Sequence, residues 1–150
     1  MVTIKKGDIL NATETVIAHQ VNCRGVIGGL AADIFAKWPD AGNDYKQLIE
    51  RLPNAGILLG MPQLTGQQKD GHIIANLYGQ YNPGADYRPY TLAKALMVLG
   101  GLARQDGWSV ALPYKLSCGI CGGDWDEVLE IIETAMDGVD CTIYQREGDE

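Results

Sequence analysis

The sequence predicts an α/β fold, a three-layer α/β/α sandwich built on a mainly parallel mixed sheet. Three observations lead there. Short apolar segments alternate along the chain with longer amphipathic ones, which is the signature of repeated strand–helix–strand units. The strand-like segments are mostly apolar rather than alternating, as expected where helices cover both faces of a sheet. No repeat, low-complexity tract or linker interrupts the chain, so residues 1–150 read as a single domain, long enough to bury a core.

Taken in order, "VTIKK", "TVIAHQV", "GILLG", "HIIANLYG", "WSVALPY" and "CTIYQ" are short and rich in apolar or β-branched residues, and each is expected to be a strand. Leu30, Ala31, Ile34, Phe35 and Trp38 share one helical face, and Pro39 ends that helix because its ring cannot continue the ladder. Ala41, Tyr45, Leu48, Ile49 and Leu52 form a second stripe closed by Pro53. A third runs through Leu92, Leu96, Leu99 and Ala103, with Gly107 suited to the left-handed residue past the helix end. Trp125, Val128, Leu129, Ile132 and Met136 form the fourth.

Composition narrows the function. Net charge is -7, acid gathers in the terminal "REGDE", and no basic stripe is present, so a generic nucleic-acid binder is not expected. No apolar run is long enough to cross a bilayer. Lys5 and Lys6 are not followed by an apolar segment of signal-peptide type, which predicts a cytoplasmic location. The four cysteines, Cys23, Cys118, Cys121 and Cys141, are too sparse for a disulfide scaffold and are expected as thiols.

Two connections share one grammar. "TVIAHQV" leads through "NCRGVIGG" into the helix near Leu30, and "WSVALPY" leads through "KLSCGICGG" into the helix at Asp124. Glycines let the backbone approach a ligand, and a helix N-terminus supplies free N–H groups. In a parallel sheet both loops lie at the carboxyl ends of strands, where open α/β folds bind ligands. The pair therefore suits a diphosphate or a substrate carrying several phosphates. Neither loop is a Walker A or a GxGxxG sequence, which weighs against a triphosphatase and a dinucleotide dehydrogenase.

Several side chains could carry chemistry. His19 interrupts an apolar strand three residues before Asn22; it reads either as a satisfied core histidine or as an acid–base group. His72 reads as a surface residue. Asp124 suits an N-cap, with Glu127 placed for a capping-box-like partner, better than a catalytic carboxylate. Cys118 and Cys121 form a CxxC that, with Cys23 and His19, has zinc-type chemistry. Packing of small residues in a tight loop is the stronger reading there, and no metal is expected.

With these loops in hand the chain resembles the macrodomain family. "GDIL" is similar to its early Gly-Asp-Ile motif, "VIAHQVNCRGVIGGLAADIFAKWPDAGNDY" to its first ligand loop and following helices, "ALPYKLSCGICGGDW" to its phosphate-holding loop, and "CTIYQ" to its last strand. The stretch around His19 and Cys23 resembles the ADP-ribose 1″-phosphate phosphatases, and also the branch containing terminal ADP-ribose–protein glycohydrolase. The resemblance implies that Asp8, with Ile9 beside it, meets the adenine amine, and that Tyr144 lies near the base. It implies that Asn22 faces the distal ribose, while Gly28, Gly29 and Leu30 contact diphosphate and ribose. The main chain of Ser117, Cys118, Gly119, Ile120, Cys121 and Gly122 would hold phosphate.

The glycohydrolase branch uses a lysine nucleophile and an acid in the second loop. Those positions fall at about Gly79 or Gln80 and at Cys121, none of which can do that chemistry. The expectation is therefore hydrolysis of ADP-ribose 1″-phosphate to ADP-ribose and phosphate without a cofactor. His19 would orient or activate water and Asn22 would fix the ribose. A glycohydrolase acting on modified macromolecules and a non-catalytic ADP-ribose-binding module are the alternatives.

Overall fold

The computed structural model describes residues 1–149. Its strands are β1 (Val2–Lys6), β2 (Val16–Val21), β3 (Pro62–Thr65), β4 (Ile73–Tyr78), β5 (Val110–Pro113) and β6 (Cys141–Gln145). The helices are α1 (Gly29–Lys37), α2 (Pro39–Arg51), α3 (Pro89–Asp106) and α4 (Trp125–Ala135). The strands form one sheet in the order β1-β6-β5-β2-β4-β3. Every neighbouring pair is parallel except β3 with β4, so the sheet is mixed and mainly parallel, as the sequence predicts.

Helices cover both faces. Leu92, Leu96 and Leu99 of α3, with Val128 and Ile132 of α4, bury against Val16, Ala18, Leu112 and Ile143. On the opposite face Ile34, Phe35, Ala41 and Tyr45 of α1 and α2 bury against Ile17, Val21, Ile74 and Tyr78. Each fully buried side chain of leucine size contributes about 1.5–3 kcal/mol. The alternation of β2 between the two cores follows from the two-residue period of a strand. It sends Ile17, His19 and Val21 to the α1–α2 side, and Val16, Ala18 and Gln20 to the α3–α4 side.

Local chemistry sets the helix ends. Pro39 occupies the first turn of α2, where its missing N–H costs nothing. Gly107 closes α3 in the left-handed conformation, φ 71°, as expected. Asp124 caps α4 by accepting from Asp126 N, but Glu127 does not close a capping box; its carboxylate accepts from the Tyr87 hydroxyl instead.

One expected strand is not a strand. "GILLG" carries a 3-10 turn over Ala55–Leu58, started by Asn54, whose side chain accepts from Gly56 N. The edge strand that the sequence reading missed lies just beyond it, as β3.

Because β2 and β5 are adjacent and parallel, their carboxyl ends bring both glycine loops to the same edge of the sheet. β1 and β6 also run parallel side by side, which places Asp8 and Tyr144 at that edge too.

Candidate active site

The first loop is shaped by Asn22. Its Oδ1 accepts from Arg24 N at 2.9 Å, Val26 N at 3.2 Å and the Tyr45 hydroxyl at 3.0 Å, while its Nδ2 donates to Val26 O at 2.8 Å. Gly25 is left-handed, φ 74°, so the chain can turn back toward α1. No side chain caps α1, whose N-cap is Gly28. The N–H groups of its first turn therefore point outward with the positive end of the helix dipole.

The second loop faces it. Lys115 and Ser117, at φ 56° and 66°, are the only non-glycine residues with positive φ among the described residues. They turn the chain so that Cys118 N donates to Lys115 O and Gly122 N to Gly119 O. Those two amides are consumed inside the loop. The Cys118 thiol also turns inward, 3.2 Å from Leu116 O. No protein acceptor takes the N–H groups of Gly119, Ile120 or Cys121 among the described residues. Unpaired backbone donors beside a helix N-terminus form an anion cradle.

Gln20, Gly28, Ile120 and Cys121 line both halves of the cleft between the loops. Asn22, Gly29 and Gln80 extend it at one end, and Leu30, Lys115 and Ser117 at the other. Asp8 lies in a neighbouring hollow with Gly7, Arg146 and Gly148. Its Oδ1 accepts from Leu10 N at 2.9 Å and from Arg146 Nη2 at 3.2 Å, and Arg146 also reaches Asp33 at 3.7 Å. Ile9 is buried, 2% exposed, so only its backbone can meet a ligand there. Tyr144 is 5% exposed, its hydroxyl donates to Glu14 at 2.6 Å, and its ring backs Gly7. It supports the Asp8 turn rather than opening onto the hollow.

His19 is held from two sides. The ring is 1% exposed, its Nε2 lies 2.7 Å from Asn76 Oδ1, and it packs edge-on against Phe35. Nδ1 is buried without a partner. Burial pulls its pKa from 6.5 down to about 4, against a smaller upward pull from Asn76. His19 nevertheless belongs to the wall of the cleft beside Gln20, Gly28 and Leu30, as a neutral ring with one lone pair still unspent.

Three residues that matter here were absent from the expected site. Gln20 bonds Gln80, Ser117 and Cys121, and Arg146 salt-bridges Asp8. Strand parity could have found Gln20, because it shares a face with Val16 and Ala18 at the loop end of β2. The pairing of Lys6 with Gln145 sets Arg146 beside Asp8, but that register is invisible without the sheet order.

Burial raises the Cys118 and Cys23 thiols to about 11, so neither is a ready thiolate. All four cysteines are free, and no group of three or more His, Cys, Asp or Glu side chains is placed to hold a metal among the described residues. No helix among those residues is long and apolar enough to cross a membrane.

No protein-family model matches the chain. A DNA ADP-ribosyl glycohydrolase of Mycobacterium tuberculosis is 28% identical over 155 residues, covering 99% of this chain. The chain spans 43% of the length of the curated relatives it matches. Among solved structures, the macrodomain of Mycobacterium tuberculosis DarG superposes with a TM-score of 0.84 at 28% identity, over 96% of this chain and 97% of that one. A protein of unknown function from Bacteroides thetaiotaomicron shares the fold with a TM-score of 0.86 at 22% identity, covering 97% and 98% of the two chains. Thermosipho africanus DarTG in complex with ADP-ribose also shares it, with a TM-score of 0.79 at 18% identity, over 95% of this chain and 41% of that one.

Proposed function

This chain is a macrodomain, and on that premise we propose that its cleft binds ADP-ribose and supports hydrolysis of a substituent on the distal ribose. The adenine amine meets Asp8, the diphosphate lies between the first turn of α1 and the second loop, and the distal ribose sits over Asn22. The observation that carries this reading is the unpaired set of N–H groups at Gly119, Ile120 and Cys121 facing the uncapped start of α1. Neutral donors of this kind bind a diphosphate without side-chain cations, as suits a chain with net charge -7.

Two substituents fit. Removal of a terminal phosphate from ADP-ribose 1″-phosphate uses the same cradle for the departing group, with Asn22 orienting the ribose through the one Nδ2 hydrogen it has not spent on Val26 O. Cleavage of a glycosidic bond to a macromolecule is the second reading, supported by the names of the curated relatives. A covalent lysine adduct is not part of either. A Cβ at Gly79 would lie 2.2 Å from Gln20 Oε1, and Gln80 carries an amide that forms no Schiff base. His19 lines the cleft as a neutral imidazole, so the water that reaches C1″ is oriented by neutral groups.

Calorimetry with ADP-ribose tests the binding claim, and absence of heat at millimolar ligand would end it. Phosphate release from ADP-ribose 1″-phosphate, measured beside release of ADP-ribose from modified DNA and modified protein, assigns the substituent. Turnover of none of these leaves a binding module.

A further inference from the structure

The polar side chains at the distal end of the cleft form a chain whose direction is fixed by its last links. Gln80 Nε2 meets two backbone carbonyls, Asn82 O at 2.6 Å and Gly84 O at 3.2 Å. Carbonyls only accept, so both Gln80 N–H groups are consumed and its Oε1 turns toward Gln20. Gln20 Nε2, 2.7 Å away, must then donate to it, with its other hydrogen toward Cys121 Sγ at 3.5 Å. Gln20 Oε1 accepts from the Ser117 hydroxyl at 3.1 Å. Neither glutamine keeps a free N–H; what they present is lone pairs. Gly79 holds this arrangement, since a Cβ there would meet Gln20 Oε1 at 2.2 Å.

We infer that Gln20 and Gln80 are specificity-determining residues that make this end of the cleft select sugar hydroxyls over an anionic group. The inference rests on the ADP-ribose reading above. A ribose hydroxyl donates to a glutamine lone pair while accepting from the remaining Asn22 N–H. A phosphate oxygen at neutral pH has no proton to donate, and it meets the negative end of an amide dipole. The diphosphate and the distal group are thereby sorted by opposite chemistry, donors in the cradle and acceptors beyond it.

The test compares three ligands by calorimetry at high salt, where long-range charge is screened. ADP lacks a distal group, ADP-ribose extends it with a sugar, and ATP extends it with a phosphate. The expected ranking has ADP-ribose about tenfold tighter than ADP, and ATP no tighter than ADP, the size of step that one or two hydrogen bonds produce. Gln20→Leu and, separately, Gln80→Leu should bring ADP-ribose down to the level of ADP while ADP itself is unchanged, a split that loss of fold does not produce. Wild-type protein that binds ATP as tightly as ADP-ribose, or variants that weaken all three ligands together, would overturn the inference. Should Gln20→Leu fail to fold, the wild-type ranking and Gln80→Leu still decide it. Wild-type protein that binds none of the three instead defeats the ADP-ribose reading.

Discussion

His19 Nε2 lies 2.7 Å from Asn76 Oδ1 across the paired strands β2 and β4, and Asn76 dictates which nitrogen of the ring carries the proton. Asn76 Nδ2 donates to Ala41 O at 3.3 Å and to Gln63 Oε1 at 3.2 Å, which uses both of its hydrogens. Its oxygen is therefore the acceptor, and His19 is the Nε2–H tautomer. Nδ1 then carries a bare lone pair in the core, and protonating it would bury a charge beside no acceptor.

A pH dependence of stability follows from that pairing. The folded pKa, about 4, lies below the ordinary 6.5, so the unfolded chain binds more protons between those values. Stability is complete above the upper value and is lost as pH falls through the window. Between about pH 7.5 and about pH 5 this group alone removes about 2 kcal/mol. Urea unfolding at the two pH values should show that loss in the wild type and a smaller one, by about this amount, in His19→Leu. Equal acid sensitivity in the two proteins would remove His19 as its source.

Strand parity sets which layer His19 enters. An extended chain sends alternate residues to opposite faces, so His19 points to the α1–α2 side and packs on Phe35. β2 ends at Val21, and Asn22 beyond it turns its side chain to Tyr45 on that same side. The layer architecture was legible because β2, β4 and β5 are mostly apolar on both faces. The early edge was not. "GILLG" has strand composition, but Asn54 starts a 3-10 turn there by accepting from Gly56 N. β3 is only four residues long and mostly half-buried, so it carries no continuous apolar signal. The convergence of Gly28, Gly29 and Cys121 on one cleft was legible from loop composition. Gln20 and Gln80 were not, since two amides brought together by adjacent strands leave no spacing in the sequence.

The packing of α3 on α4 depends on one close approach. A Cβ at Gly100 would lie 2.0 Å from the Ala135 carbonyl oxygen, a backbone atom that can move only with α4 itself. Gly100→Ala should therefore destabilise the fold by about 3 kcal/mol, the upper range for overpacking, and lower Tm by about 10 °C. Gly101→Ala is the control, because nothing lies within 4 Å of a Cβ there. It should be neutral or slightly stabilising, since alanine is the better helix former. Similar Tm losses in both variants would mean that helix propensity, not the α3–α4 contact, sets the cost.

Asp8 has two duties that one substitution separates. Its Oδ1 caps the turn at Leu10 N and takes Arg146, and its carboxylate is the proposed acceptor of the adenine amine. Asp8→Asn keeps an oxygen for the turn but puts an N–H group where the ligand's amine arrives. We expect ADP-ribose affinity to fall about tenfold, roughly the worth of a hydrogen bond to a charged group. The analogue carrying hypoxanthine, which has a carbonyl in place of the amine, should lose little or gain. The ratio of the two affinities, measured by calorimetry, is the readout. A uniform loss for both ligands would assign Asp8 to the turn alone.

The second loop holds the only left-handed non-glycine residues among those described, Lys115 and Ser117. Such a conformation costs a residue with a Cβ about 1 kcal/mol, and strain of this kind persists where the surroundings over-determine it. Ser117 is fixed from both sides, its hydroxyl on Gln20 and its carbonyl taking Gly123 N at 2.9 Å. Lys115 is exposed, and its carbonyl takes Cys118 N at 2.9 Å. Lys115→Gly and Lys115→Ala both delete the side chain, but only glycine adopts the left-handed region freely. The glycine variant should be the more stable of the two by about 1 kcal/mol in urea unfolding, although glycine is ordinarily the more costly residue to order. An alanine variant as stable as the glycine one would show that the loop does not hold this conformation in solution. The orientation of the Gly119, Ile120 and Cys121 N–H groups toward a diphosphate would then lose its structural basis.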